Sequence, residues 1–394
     1  MPPPPASSTV QRLPQPAADE RAVSARLVAL IRQEMGRSGG RLPFDRFMEL
    51  ALYAPGLGYY TGGRRKFGEA GDFVTAPEVS PLFARCLARQ CRQVLGDGGG
   101  DILEFGAGSG ILAADLLAEL ALLGALPERY RILELSAELQ QRQRETLARR
   151  VPDLLDRVEW LRRLPAEGVR GVILANELLD ALPVQRFRID RGRILEQFVV
   201  AEGDALALSW EAPVSPGLEQ AVTALGPLPD DYESEIGLRV GPWVEALAGV
   251  LRQGLALLID YGHPRAEYYH PQRNRGTLMC HYRHRAHADP LFHPGLQDIT
   301  SQVEFTTVAG AARDAGLDVC GYTTQAFFLL GCGLDRLVAA SDPERVQEHM
   351  ALMQGVKRLT LPSEMGERFK VLGLGRGLDP VPLGFSLRDM RERL

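Results

Sequence analysis

The stretch Asp101-Ile-Leu-Glu-Phe-Gly-Ala-Gly-Ser-Gly110, followed at once by Ile111-Leu-Ala-Ala-Asp-Leu-Leu117, restricts the fold more than any other part of the chain. Its first five residues read as a short buried strand that stops at glycine. Beyond the glycines, Ile111, Leu112, Leu116, Leu120 and Leu123 recur at helical spacing. Strand, glycine turn and helix in succession open a nucleotide-type α/β sheet. Gly106, Gly108 and Gly110 carry no Cβ, so the backbone there can turn tightly and approach a ligand closely.

Spacing discriminates between ligands. A dinucleotide fingerprint, G-x-G-x-x-G, needs a third glycine at position 111, where the chain has Ile111. The chain instead reads Glu-x-Gly-x-Gly-x-Gly from Glu104, a form that resembles the first motif of class I S-adenosylmethionine (SAM) methyltransferases. Arg129 to Leu135 reads as the next strand, with Glu134 near its end, 24 positions after Gly110. A carboxylate at that point can accept hydrogen bonds from both hydroxyls of a ribose. Glu104, Gly106, Gly108, Gly110 and Glu134 are therefore the expected cofactor contacts.

Composition bounds the partners. With 394 residues and 45% apolar side chains the chain can bury a large core, and its length suits two or three domains. A net charge of −5 offers no general basic surface, which argues against nucleic acid as a partner. No apolar run reaches the ~20 residues of a membrane helix, so no membrane insertion is expected. Five scattered cysteines do not form a disulfide framework and suit a reducing, bacterial-type cytoplasm. Residues 1–20 read as a disordered Pro-rich tail without a secretory h-region, a composition compatible also with a mitochondrial matrix.

Along the chain, helices are expected at Arg21–Met35, Phe44–Tyr53 and Pro81–Leu95. Between the last two, Gly58–Gly63 and Gly71–Ser80 are too polar and glycine-rich for core and too aromatic for a linker; residues 21–95 thus read as a helical lid region. The core spans 96–376: a helix at Ala137–Arg150, strands at Val158–Leu164 and Gly171–Ala175, and a strand at Leu255–Asp260 after a helix at Gly241–Gln253. Such alternation implies a parallel sheet with right-handed crossovers. Insertions are expected at about 182–240, beginning with a hairpin that turns at Asp190-Arg-Gly192, and at 263–297. A helix at Asp298–Ala315, a strand at Val319–Thr324 and a helix at Arg345–Lys357 follow. Phe369–Leu374 closes the sheet edge, and 377–394 forms a tail.

Ligands of open α/β sheets gather beyond the carboxyl ends of the strands. The strand at Gly171–Ala175 ends in Asn176-Glu-Leu-Leu-Asp180, which places Asn176, Glu177 and Asp180 there as candidate catalytic residues. Carboxylates at that edge can hold a guanidinium in bidentate fashion beside a methyl donor. Six of the seven histidines lie between His263 and His293. Their spacing around Cys280 lacks the tight repeated pairs of a zinc site, so no metal is expected.

Beyond these readings, a set of motifs resembles one family. They are Gly71-Asp-Phe-Val-Thr-Ala-Pro-Glu78, Glu104–Gly110, Ile132-Leu-Glu134, Ala175-Asn-Glu177 with Asp180-Ala-Leu-Pro-Val184, Ile259-Asp-Tyr-Gly262, Gly276-Thr-Leu278 and Gln297-Asp-Ile-Thr300. In this order they resemble the MidA family, also called DUF185, which is similar to the mitochondrial complex I assembly methyltransferase. The likeness runs from about Leu42 to Leu374. It implies a class I, Rossmann-like SAM-methyltransferase sheet with an N-terminal lid and inserted elements. It also implies SAM as cofactor and protein-arginine N-methylation, with a complex I-type subunit or another protein as partner. Two other readings stay open: a SAM-binding assembly chaperone with little turnover, and a methyltransferase acting on a small molecule.

The glycine spacing generates a direct test. Calorimetric titration should show binding of S-adenosylhomocysteine and none of NAD; tighter NAD binding would reverse the assignment of the turn.

Overall fold

The computed structural model describes residues 13–62, 75–96, 99–379 and 381–394. Its N-terminal part packs helix α1 (Ala18–Arg37), strand β1 (Arg41–Pro43) and helix α2 (Phe44–Tyr53) into one layer, followed by a single turn α3 (Ala76–Val79) and helix α4 (Pro81–Leu95). Order thus starts inside the expected tail: Glu20 reaches back to the backbone N–H of Ala17 and closes the first turn of α1. Residues 63–74 of the expected lid lie outside the described residues, as do 1–12 of the tail.

The core begins with β2 (Asp101–Phe105), α5 (Ile111–Leu122), β3 (Tyr130–Leu133), α6 (Ala137–Arg150), β4 (Val158–Leu161) and β5 (Val169–Asn176). The insertion follows as β6 (Gln185–Asp190), β7 (Arg193–Glu202), β8 (Ala205–Glu211) and β9 (Glu233–Ile236). Then come β10 (Leu251–His263), a small sheet of β11 (Met279–Tyr282), β12 (Arg285–His287) and β13 (Asp298–Thr300), the short β14 (Val303–Glu304), and β15 (Asp318–Thr324) and β16 (Phe369–Arg376). The main sheet has the order β15-β16-β10-β5-β2-β3-β4, with β14 paired to the end of β10.

Its central strands bury both faces, so their side chains alternate between two cores. Ile102, Val172, Leu174, Leu255 and Leu257 face one, with α4 and α5. Leu103, Ile173, Ala175, Ala256 and Leu258 face the other, with Val244 and Val308. Continuous apolar runs are what a sheet covered on both sides requires. A third core joins α1 and α2 to Val199 of β7, Cys280 and Ile299. There β1 pairs antiparallel with β7, which sews the N-terminal layer to the insertion.

Three expectations need correction. Phe369–Leu374 does not lie at the edge: β16 runs antiparallel between β10 and β15, and β15 is the edge strand, so the sheet is mixed rather than all parallel. Residues 298–304 are not helical, because Met279–His281 takes Asp298–Thr300 as a pairing partner. The helix there starts only at Phe305, where the Glu304 carboxylate caps the N–H groups of Thr306 and Thr307. Residues 377–394 are not a loose tail either. The Phe385 ring lies over two glycines of the sheet, where a Cβ on Gly321 or Gly373 would come within 2.1 or 2.6 Å of it, and it stacks edge-on against Phe328 at 5.5 Å. Phe385→Ala should therefore cost about 3–5 kcal/mol in urea unfolding, the range for an aromatic removed from a packed core. A loss below ~1 kcal/mol would show that the terminal segment only rests on the sheet.

Candidate active site

The carboxyl ends of β2, β3 and β5 open into a cavity of about 390 Å³. That is within the roughly 300–1,000 Å³ typical of small-molecule sites. Glu104, Gly106, Gly108, Glu134, Asn176 and Glu177 all line it. Two of the expected site residues do not. Gly110 (φ +81°) starts α5 beneath the turn, where a Cβ would stand 3.0 Å from the Gln143 backbone of α6. Asp180 is buried behind the wall.

The cofactor side is built by α6. Ser136 caps that helix, and its backbone N–H donates to Glu134 (2.9 Å). Gln143 donates both to the other Glu134 oxygen (3.1 Å) and to the carbonyl of Gly108 (3.2 Å), while Trp160 donates to the Gln143 carbonyl oxygen (3.0 Å). One glutamine thus locks the acid to the glycine turn. Leu133, Leu135, Leu139 and Leu164 supply an apolar wall beside Glu134. The donor set and the open glycine turn fit a nucleoside: the acid can accept from ribose hydroxyls, and the leucines can cover a base. Glu104, buried under the turn, accepts from the Tyr130 hydroxyl at 2.8 Å. Burial pushes its carboxyl up to about 7, the Tyr130 bond opposing and Glu134 adding.

On the β5 side the backbone turns sharply. Glu177 sits at φ +51°, a conformation rare outside glycine, with its N–H donating to the Ile259 carbonyl (2.9 Å). Asp260 at the end of β10 holds the turn that follows: one carboxylate oxygen accepts from the N–H groups of Leu178, Leu179 and Asp180 at 2.9–3.2 Å. The other accepts from the N–H of Tyr261. The Glu177 carboxylate accepts from Asn176 Nδ2 (3.2 Å) and from the backbone N–H of Ala76 in α3 (3.3 Å). Burial first and Asp180 second push Glu177 up to about 8. Asp180, bonded to the Tyr261 side chain, is pushed up to about 6 by burial. Burial and then Asp180 and Glu177 push Asp260 upward, with N–H donors opposing.

The N-terminal layer closes the far wall. Tyr53 and Tyr60 stack at 5.5 Å; Tyr53 donates to the Ala181 carbonyl, and Tyr60 donates to Asp298. Tyr60, Thr61, Thr75 and Glu78, which flank the undescribed part of the expected lid, line the cavity. The sequence reading missed Gln143, Asp260 and Glu78. Asp260 and Glu78 both stood within motifs that carry the family resemblance, and Asp260 also closes an apolar strand. Among the described residues no group of three or more His, Cys, Asp or Glu side chains is arranged to hold a metal ion, and Cys280 is buried in β11. No helix among them is long and apolar enough to cross a membrane.

This sheet order, with its antiparallel β16 and a nucleoside-shaped cavity over the glycine turn, defines a class I SAM-dependent methyltransferase. The profile of the S-adenosyl-L-methionine-dependent methyltransferase family Methyltransf_28 matches residues 82–323, and the chain belongs to that family. A crystal structure of a COG1565 superfamily member from Burkholderia thailandensis, bound to S-adenosyl-homocysteine, is 44% identical. It superposes with a TM-score of 0.93 over 97% of this chain and 100% of that one. The chain is also similar to the protein arginine methyltransferase NDUFAF7 homolog, mitochondrial, of Drosophila melanogaster: 29% identity over 94% of this chain and 92% of the relative. Human protein arginine methyltransferase NDUFAF7, mitochondrial, is 28% identical over 86% of this chain and 81% of its own length. SAM is the cofactor.

The raised pKa of Glu177 makes a prediction about the free protein. Between the ordinary value of 4.5 and about 8 the folded chain holds a proton that the unfolded chain has lost, so this group's contribution falls as pH rises through that window. Glu177→Gln removes the titration and keeps the shape. Variant and wild type should melt together near about pH 4.5, and the variant should be the more stable at about pH 8.5. A difference that does not change with pH would place the carboxyl in ordinary solvent.

Proposed function

We propose that the chain methylates an arginine side chain in a protein partner, with Glu177 and Asn176 receiving the guanidinium. One observation carries this reading. The described residues lining the cavity include four carboxyls, Glu78, Glu104, Glu134 and Glu177, and no Lys, Arg or His. Acids gathered with no basic side chain in the described lining, two of them held up to about 7 and 8, suit ligands that bring the positive charge with them. SAM supplies an electrophilic methyl on a sulfonium and also carries an ammonium. A guanidinium, always protonated, supplies a further cation.

At the acceptor end, Glu177 and Asn176 stand together at the end of β5. Asn176 donates to Glu177, and its own Oδ1 is buried without a hydrogen-bond partner. A carboxylate and an amide oxygen side by side can take two N–H groups of one planar fork. As the cation arrives, Glu177 gives up its proton to solvent and, as carboxylate, orients the nitrogen toward the methyl carbon. The new C–N bond forms as the C–S bond breaks, and the nitrogen's spare proton leaves to water or Glu177. Asp180 acts from behind, beside Asp260, on the turn that carries Glu177. The similarity to protein arginine methyltransferases of Drosophila melanogaster and human supports the arginine acceptor and a protein partner, and the resemblance to the MidA family makes a complex I-type subunit the first to try.

Glu177→Gln should leave S-adenosylhomocysteine affinity near wild type and slow methyl transfer by at least about 10²-fold, roughly 2.7 kcal/mol of barrier. The acceptor is to be found by mass spectrometry of copurified partners with and without the protein. With cofactor binding and melting both intact, unchanged turnover in the variant would remove Glu177 from the chemistry.

A further inference from the structure

The cavity holds one acid whose role neither the glycine turn nor the acceptor end accounts for. Glu78 lies in α3, N-terminal to the segment matched by the family profile. It lines the cavity, and its side chain is bonded to that of Ser109 in the glycine turn. Its Oε2 is shielded from solvent and has no hydrogen-bond partner. Burial raises its pKa, with the Ser109 bond and the charge of Arg142 opposing.

The other acids of the cavity are differently placed. Glu104 is engaged by Tyr130, Glu134 by Ser136 and Gln143, and Glu177 by Asn176 and Ala76. Glu78 keeps a buried oxygen unbonded at the turn, an unfavourable arrangement unless a ligand donor completes it. The nucleoside of SAM is served by Glu134 and the leucine wall. What remains of the cofactor is its amino-acid end, whose α-ammonium carries three donors and a positive charge.

We propose that Glu78 is the anchor for the α-ammonium of SAM and of S-adenosylhomocysteine, presented through Ser109 from the glycine turn. It binds and positions; the methyl and the acceptor lie at the β5 side. The chemistry matches: a cation with donors only, set against a buried acceptor oxygen that has no hydrogen-bond partner. By holding the amino-acid end, Glu78 fixes how far the sulfonium reaches toward Glu177. It also selects cofactors that retain the amino group over truncated adenosine thioethers.

The test is a cycle of two changes, one on each side of the contact, read by competition binding and not by turnover. Glu78→Gln is paired with a deaminated analogue of S-adenosylhomocysteine in which hydrogen replaces the amino group. Wild type should lose at least about tenfold on deamination of the ligand, the factor that corresponds to roughly 1.4 kcal/mol. In Glu78→Gln the two ligands should bind within about threefold of each other, close to the wild-type affinity for the deaminated one. If the variant binds S-adenosylhomocysteine as tightly as wild type, the proposal is wrong. An equal loss for both ligands also overturns it, since Glu78 would then only pack the wall. Glu78→Ala carries the same cycle should the Gln variant melt early.

Discussion

The site depends on the carboxylate of Asp260. Four backbone N–H groups converge on it: three from the turn Leu178–Asp180 after β5, and one from Tyr261 on β10. β5 and β10 are already hydrogen-bonded in parallel up to Asn176 and Ile259. Beyond that point β10 continues beside β16 and β14, but its pairing with β5 ends and the β5 backbone would be free to wander. Asp260 extends the register by a side chain, and the Glu177 N–H on the Ile259 carbonyl does the same by the backbone. Together they sustain a positive φ that a glutamate does not adopt unaided. The strain aims one carboxyl into the cavity.

This anchoring also orders the protons. Glu177, Asp180 and Asp260 are three acids within one turn and its neighbouring strand, and burial pushes each of them upward. They cannot all ionise in a dry place without a cation. The four N–H donors favour the Asp260 anion, but burial and its two acidic neighbours outweigh them and push Asp260 upward as well. Glu177, the one that lines the cavity, is then neutral until a cationic ligand draws the proton off. The cavity is thus electrostatically incomplete on its own. Its acids are affordable because their charge is called up by binding.

Much of this was legible in the sequence, for identifiable reasons. The helices Phe44–Tyr53 and Ala137–Arg150 have the bounds that their flanking Pro, Ser and Arg residues announce. The strand-turn-helix at Asp101–Leu122 is local, as is the hairpin at Asp190–Arg193 with its Gly192 turn. What stayed hidden was what distant residues decide. Asp298–Thr300 looks like the start of a helix until Met279–His281 pairs with it. The three residues of β1 carry no period at all, and become a strand only because β7 is there. Phe369–Leu374 reads as a strand, yet nothing in it says that it runs antiparallel between two others. The candidate site divided along the same line. Six of its eight expected residues line the cavity, because the ends of parallel strands meet wherever such a sheet forms. Gln143 and Glu78 act through single contacts to the glycine turn, which no spacing foretells.

The N-terminal layer finally explains why a Rossmann-like sheet alone would not suffice. α2 is held on the insertion side by Arg239, which pairs with Asp45 and Glu49, and by β1 on β7. From that position Tyr53 fastens to the Ala181 carbonyl, just past the Asp260 turn, and Tyr60 to Asp298 at the start of β13. Three segments far apart in sequence therefore meet over Glu177: the end of α2, the β5 turn and the start of α3. Tyr53, Tyr60 and Glu177 thereby line the same cavity. Under the arginine reading proposed above, a guanidinium would set its fork to Glu177 and Asn176 there. A bulky neutral ring would leave those acceptors unpaired, and that penalty, more than any attraction, is what would keep the site selective.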